Sequence, residues 1–352
     1  MIKSYFRPEI DAMEGYVPGE QPKMANLVKL NTNENPFAPS PEVEKVLKNF
    51  SADQMRRYPD PRADALRIAI SERNNLQKEN VIVGNGSDDI LTMIFRAFTS
   101  SDKAMAMLYP SYSLYGELAA MQCAKVIRIA LTEKSFALPD DLLEQAKGAN
   151  LLMLTRPNAP TGNSFSLECV ENICKNFDGI VTIDEAYADF AQDNCMELVK
   201  KYPNVIVMRT FSKSYALAGL RLGYAVSSQQ IIEGLMKLKD SYNVDMLSQH
   251  IALAAYNDTE YFARRIAEVK NMRAELKKEL EKLGFYCVDS ESNFLFAMAP
   301  DGDGERCFRE LRKEAVIVRY FPGEKTGRYV RITIGNENEN ARLLEVLRSI
   351  YA

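Results

Sequence analysis

The sequence predicts an α/β protein: a large domain built on a mostly parallel sheet covered by helices, joined to a smaller α+β domain. Three observations carry this. Between residues 81 and 227 short apolar runs alternate with segments of helical period, the pattern of βαβ units. Runs such as VIV (81–83), AMAML (104–108) and VIVM (205–208) are apolar throughout, as strands buried on both faces are. Beyond a charge-laced amphipathic stretch from Thr259 to Leu283, strands and helices follow in mixed order. The large domain is placed at 31–257, and the small one combines 1–30 with 258–352.

A chain of 352 residues is long enough for both cores. Its net charge of −4 argues against a nucleic-acid or membrane-surface partner, so an anionic ligand must be held by local arginines and backbone amides. The cysteines, Cys123, Cys169, Cys174, Cys195, Cys287 and Cys307, form no C-x-x-C pair. With His250 the single histidine, no metal site is expected. Scattered thiols read as reduced, and the charged N-terminal stretch MIKSYFRPEIDAMEGY is unlike a signal peptide. No run approaches the ~18 apolar residues of a membrane span. A cytoplasmic, soluble protein is expected.

Taken in order, residues 1 to about 30 are irregular, broken by Pro8, Gly15, Pro18, Gly19 and Pro22, with Tyr16 among them. A helix starts near Pro41, a residue suited to a first turn. Tyr58 lies in RRYPDP, held extended by Pro59 and Pro61. VIVGNGSDDILTMIFRAFT (81–99) reads as strand, glycine turn and amphipathic helix, with Ser87 as N-cap and Asp88 and Asp89 in the first turn. Glycines before a helix N-terminus can cradle an anion. Gly84-Asn85-Gly86 alone reads as an ordinary capped turn, lacking the third glycine of a dinucleotide fingerprint and the Gly-Lys-Ser of a P-loop.

The next strand leaves Tyr112 and Tyr115 at its exit, where aromatics more often pack a core than stack on a cofactor. NLLMLT (150–155) ends in RPNAPTG, a fixed turn that presents Asn158. In GIVTIDEAYADF, Ile180–Ile183 form a strand with Asp184 at its C-terminal end, where α/β sheets bind ligands, and Tyr187 three residues on. VIVMRTFSKSYALAGLRLG (205–223) places Thr210 and Ser212 beside Lys213 and Arg221 eight residues later, with Gly219 and Gly223 permitting close backbone approach. Hydroxyls and an arginine suit a phosphate, and a lysine beside a phosphate suggests pyridoxal phosphate, whose aldehyde condenses with a lysine amine. In RYVRITIG, Val330, Ile332 and Ile334 pack one face of a strand while Arg331 stands on the other.

In this order, NTNENP, GNGSDD, PSYSLY, PNAPTG, IDEAYADF, TFSKSYALAGLRLGY and RITIG resemble the pyridoxal-phosphate-dependent aminotransferases of fold type I, and within them the histidinol-phosphate branch. The resemblance runs from about Tyr16 to the C-terminus and includes GYVPGEQP and KDSYNVDMLSQ. It implies pyridoxal 5′-phosphate on Lys213, which also serves as general base, with Asp184 at the pyridine nitrogen. Asn158 and Tyr187 are implied at the phenolic oxygen, and Tyr112 on the ring face. Ser87, Asp88, Thr210, Ser212 and Arg221 are implied at the phosphate, the Asp88 carboxylate turned away from it. Tyr58 from the partner subunit of a homodimer with shared active sites completes the cofactor site. Arg331, with Arg319 and Tyr16, is implied at the substrate's anionic group.

The activity implied is transfer of the amino group of L-histidinol phosphate to 2-oxoglutarate, in histidine biosynthesis. An aromatic or broad-specificity aminotransferase stays open, as does a lyase of the threonine-phosphate decarboxylase type. A ligand-sensing regulator needs an added DNA-binding module for which the pattern leaves no room. Three positions depart from the family, Asp89 (often Glu), Arg156 (usually smaller or neutral) and Ala216 (often Gly), and they are expected to bear on substrate shape alone. His250 is expected to be a helix residue.

Overall fold

A computed structural model of the chain describes residues 4–16 and 19–351. Pro18, one of the expected chain breakers, lies outside the described residues, as does Val17 of GYVPGEQP. The strands are β1 (Val28–Lys29), β2 (Val81–Gly84), β3 (Ala104–Tyr109), β4 (Val126–Ala130), β5 (Ala149–Thr155), β6 (Ile180–Asp184), β7 (Val205–Thr210) and β8 (Gly223–Ser227). After them come β9 (Tyr286–Cys287), β10 (Phe294–Met298), β11 (Val316–Ile317), β12 (Arg319–Tyr320) and β13 (Tyr329–Thr333).

Strands β2 to β8 form one sheet in the order β2-β8-β7-β6-β5-β3-β4. All pairs from β7 to β4 are parallel, whereas β8 runs antiparallel to both its neighbours. The exception has a local cause. The chain between β7 and β8 holds a 3-10 turn, Ala218–Leu220, and no crossover helix, so it returns beside β7 in the opposite sense. Alternate residues feed opposite faces. Val205 and Val207 join one core with Leu152, Leu154 and Ile183, while Ile206 and Met208 join another with Leu151, Met153 and Ile82. The continuous apolar runs thus reflect a sheet buried on both sides.

The C-terminal strands form an antiparallel sheet, β12-β13-β10-β9, and β1 pairs in parallel with β11. Leu30, just after β1, packs with Phe294, Leu295, Val330 and Ile332. The helix Thr259–Lys282, the charge-laced amphipathic stretch, buries Ile266, Val269, Leu276 and Leu280 along one stripe and is capped by the Asp258 carboxylate, which accepts from the Tyr261 amide at 3.2 Å.

Two local readings need correction. The first thirty residues are not wholly irregular, since Pro8–Asp11 makes a helical turn and Val28–Lys29 a strand. Ser87 is not the N-cap but the first residue of the helix Ser87–Phe98; Gly86 holds the cap position at φ 86°, which a residue without Cβ adopts at least cost. The turn is secured instead by the Asp89 carboxylate, which accepts from the Asn85 amide at 2.9 Å and from Asn243 Nδ2 at 2.8 Å. His250 sits on the helix Met246–Asn257, edge-on to Phe50 at 6.1 Å.

Candidate active site

The register of the large sheet brings three sequence segments to one crevice. Thr155 pairs with Asp184 and Asp184 with Met208, so the C-terminal ends of β5, β6 and β7 lie level, and Lys213 follows three residues after β7 ends at Thr210. Such ends are where open α/β sheets present ligand groups. A cavity of about 470 Å3 opens there, and Asp184, Tyr187, Lys213, Tyr112 and Tyr16 line it. Ser87, Asp88, Thr210, Ser212 and Arg221 line one end; Arg319 and Arg331 line it from the C-terminal sheet.

Lys213 Nζ donates to the Thr32 carbonyl at 2.9 Å. Asn35, in the same N-terminal segment, donates to the Lys213 carbonyl at 2.9 Å, so residues 32–35 hold the lysine at both its ends. Burial, together with the nearby Arg331 charge, pushes the Lys213 amine down to about 8. At pH 7 the amine is still mostly charged, and the neutral, nucleophilic form takes over as pH rises through about 8.

Asp184 is also buried, and burial raises its carboxyl to about 6. Both oxygens are engaged, Oδ2 accepting from the Tyr115 hydroxyl at 2.6 Å and Oδ1 from the Ala186 amide at 3.1 Å. Tyr115 is fully buried, and its hydroxyl is also 2.9 Å from Thr155 Oγ1. Sequence reading left Tyr115 as a packing aromatic; its apolar helix gave no sign that the hydroxyl orients a carboxylate 69 residues away.

The anion cradle combines the N-terminus of the helix Ser87–Phe98 with Thr210, Ser212 and Arg221. Arg221 Nη1 reaches Ser212 Oγ at 3.4 Å, and Thr210 Oγ1 lies 3.0 Å from Ser212 Oγ. Two glycines keep the cradle open: a Cβ on Gly86 would lie 2.8 Å from Arg221 Nη2, and one on Gly223 2.6 Å from the Ser87 amide. Gly219, expected to serve likewise, faces open space instead. The Asp88 carboxylate, expected to turn away, accepts from Arg221 Nη2 at 3.1 Å, a favourable pairing of a first-turn acid with a guanidinium.

Tyr187 accepts from Asn33 Nδ2 at 2.8 Å and packs edge-on to Phe294. Tyr16 and Tyr112 meet edge to face at 5.9 Å. Arg319 and Arg331 are cross-strand partners on β12 and β13, hence on one face. Arg331 Nη2 donates to the Asn31 carbonyl at 2.9 Å, and its buried Nε has no hydrogen-bond partner among the described residues.

Two expected site residues are not on the cavity lining. Asn158 is fully buried behind it, its amide donating to the Pro110 carbonyl and Thr161 while its Oδ1 accepts from Ser111. Tyr58 is 78 % exposed and stacks on Tyr242 at 4.4 Å. Nor do the departures shape the cavity. Arg156 is buried away from it, donating Nε to the Phe165 carbonyl at 2.7 Å and pairing with Asp193. Ala216 takes φ 57°, where glycine is the usual occupant.

A buried ion network, also unread in the sequence, joins the two strand ends. Arg209 Nη2 donates to Glu185 Oε2 at 2.7 Å and Nη1 to Asp189 Oδ1 at 3.0 Å, while Ser214 Oγ donates to Asp189 Oδ2. Glu185 and Ser214 are the chain neighbours of Asp184 and Lys213. The Glu185 side chain is fully buried, so Arg209→Met leaves an uncompensated carboxylate. The expected cost is about 3–5 kcal/mol, read as a lower urea midpoint; a loss below about 1 kcal/mol shows that the network does not hold the strand ends.

The sequence model of the aminotransferase class I and II family matches residues 25–347. The chain is 39% identical over 350 residues to histidinol-phosphate aminotransferase 1 of Nostoc sp., covering 99% of each. It is 41% identical over 351 residues to histidinol-phosphate aminotransferase of Geotalea daltonii, covering 99% of this chain and 100% of that one. Its fold matches the histidinol-phosphate aminotransferase of Sinorhizobium meliloti, solved in complex with pyridoxal-5′-phosphate, with a TM-score of 0.87 at 23% identity, covering 99% of both. The aspartate aminotransferase of Thermus thermophilus gives 0.80 at 20% identity, covering 92% and 91%.

Proposed function

The chain belongs to the class I and II aminotransferases, and from that membership we propose that it transfers the amino group of L-histidinol phosphate to 2-oxoglutarate, giving imidazole acetol phosphate and glutamate in histidine biosynthesis. The observation that carries this reading is the meeting, in one cavity, of a lysine amine lowered to about 8, a buried carboxylate, an anion cradle and two in-register arginines. The residues fit pyridoxal 5′-phosphate. A cradle that a Cβ on Gly86 or Gly223 would fill provides backbone amide, hydroxyl and guanidinium donors, and an amine and a carboxylate face the same space.

In this reading Ser87, Asp88, Thr210, Ser212 and Arg221 hold the phosphate, Asp88 through its backbone amide. Asp184 pairs with the ring nitrogen, Tyr187 serves the phenolic oxygen, and Tyr112 covers the ring, while Asn158, its amide taken by the Pro110 carbonyl and Thr161, braces the site from behind. When bound, the group would supply an electron sink for the substrate's α-carbon, and the incoming substrate amine takes the place of Lys213 on it, which leaves the lysine amine free. Lys213 Nζ takes the α-proton; the Thr32 carbonyl orients that amine, and low solvation keeps it from holding a proton too tightly. Arg331, with Arg319 and Tyr16, binds the phosphate or carboxylate of the substrate. The chain acts in the cytoplasm as a homodimer, and among the described residues no helix is long and apolar enough to cross a membrane. The exposed Tyr58 of the partner subunit reaches the cofactor phosphate. The division into 31–257 and 1–30 with 258–352 belongs to the same reading, supported by the pairing of β1 with β11.

Incubation of the purified protein with histidinol phosphate and 2-oxoglutarate is expected to yield glutamate. Release of carbon dioxide from O-phosphothreonine without glutamate points to the lyase instead. Faster turnover of phenylalanine than of histidinol phosphate assigns the broader transaminase.

A further inference from the structure

Two arginines placed opposite each other on neighbouring strands repel, and such pairs are destabilising unless something holds them. Arg319 and Arg331 are such a pair. One ring lies against both: the Phe321 centroid is 5.5 Å from the Arg319 guanidinium carbon and 5.2 Å from that of Arg331. Phe294 lies 5.2 Å from the Arg331 guanidinium carbon, so two rings contact that guanidinium. All of these distances are within the range of cation–π attraction. Phe321 also lines the cavity, and its loop is tied to the large sheet's side of the chain by Lys325, which donates to the Leu131 carbonyl at 2.8 Å.

We propose that Phe321 is a positioning residue that sets donor specificity: shared by both guanidiniums, its ring holds them side by side as a seat for a doubly charged phosphate ester. This rests on the substrate reading given above. A phosphate monoester brings nearly two negative charges and three acceptor oxygens, and so uses both forks. Glutamate offers singly charged carboxylates, each of which one fork can satisfy. The ring touches no reacting atom, so its removal acts on binding and not on turnover.

The test is steady-state kinetics of the cofactor-loaded enzyme with each donor, histidinol phosphate and glutamate, together with calorimetric titration of inorganic phosphate. Phe321→Leu is expected to raise KM for histidinol phosphate and Kd for inorganic phosphate roughly tenfold, the loss of two cation–π contacts. The expected kcat stays within about twofold and KM for glutamate within about threefold. Phe321→Met, which keeps length without a ring, should repeat this, and Phe321→Tyr should restore wild-type values. An equal rise for both donors, a fall confined to kcat, or a Tyr variant as impaired as Leu overturns the proposal. A wild-type enzyme that uses glutamate but never histidinol phosphate overturns the substrate reading and this proposal with it, and is recognised before any variant is made.

Discussion

Replacement of Lys213 by alanine is expected to lower amino-group transfer by at least about 10³-fold, the scale of losing a positioned base, while the fold stays intact. Among the described residues lining the cavity no other lysine is present to take its place. The variant should also fail to develop the visible absorption of a lysine-bound pyridoxal phosphate. The stability argument runs the other way from the catalytic one. Burial depresses the amine from 10.5 to about 8, so the folded chain holds this proton more weakly than the unfolded chain does. Stability from this group therefore rises with pH between about 8 and 10.5, and at pH 7 the charged, desolvated lysine is a net liability. Alanine removes that liability, and the melting temperature of the cofactor-free variant at pH 7 should equal or exceed that of the wild type. Residual transfer within about a hundredfold of wild type, measured with histidinol phosphate and 2-oxoglutarate, would show that Lys213 is not the base.

The reach of the sequence can be judged from this lysine. Its own position was legible, because a strand-like run breaking into Thr210, Ser212 and Lys213 ahead of Arg221 is a local pattern. Its acceptor was not, since Thr32 contributes a backbone carbonyl from 181 residues away and any residue type could supply it. The same divide separates Asp184, visible at the end of an apolar run, from Tyr115, whose role depends on β5, β6 and the helix Leu114–Met121 coming together. Arg331 was legible as the polar residue of an alternating strand; that Arg319 stands opposite it depends on register, which composition does not encode. The parallel sheet could be read from its uniformly apolar strands. The reversed direction of β8 could not, because a strand buried on both faces has the same pattern in either sense. Glu185 and Arg209 escaped for a different reason: charged residues beside strand ends are usually solvated, and only packing reveals these as buried.

Asp184→Asn separates function from stability more sharply still. Its carboxyl is raised from 3.8 to about 6 by burial, against the opposing hydrogen bonds from Tyr115 and the Ala186 amide. The folded chain binds this proton more tightly than the unfolded chain, so stability from this group is fully present below about pH 4 and is lost as pH rises through about 6. At pH 7 the buried, ionised side chain costs on the order of 1–3 kcal/mol. Asparagine has nearly the same shape, carries no charge, and keeps an oxygen to accept from Tyr115 or the Ala186 amide. The cofactor-free variant is therefore expected to melt higher than wild type at pH 7.5, the gain shrinking toward pH 4 as the native carboxyl protonates. Transfer should fall at the same time by about 10³-fold or more, because an amide cannot hold a proton on a ring nitrogen. A melting temperature that drops at pH 7.5 would mean that the Tyr115 and Ala186 contacts outweigh the buried charge. A variant that keeps near-native turnover would remove Asp184 from the site.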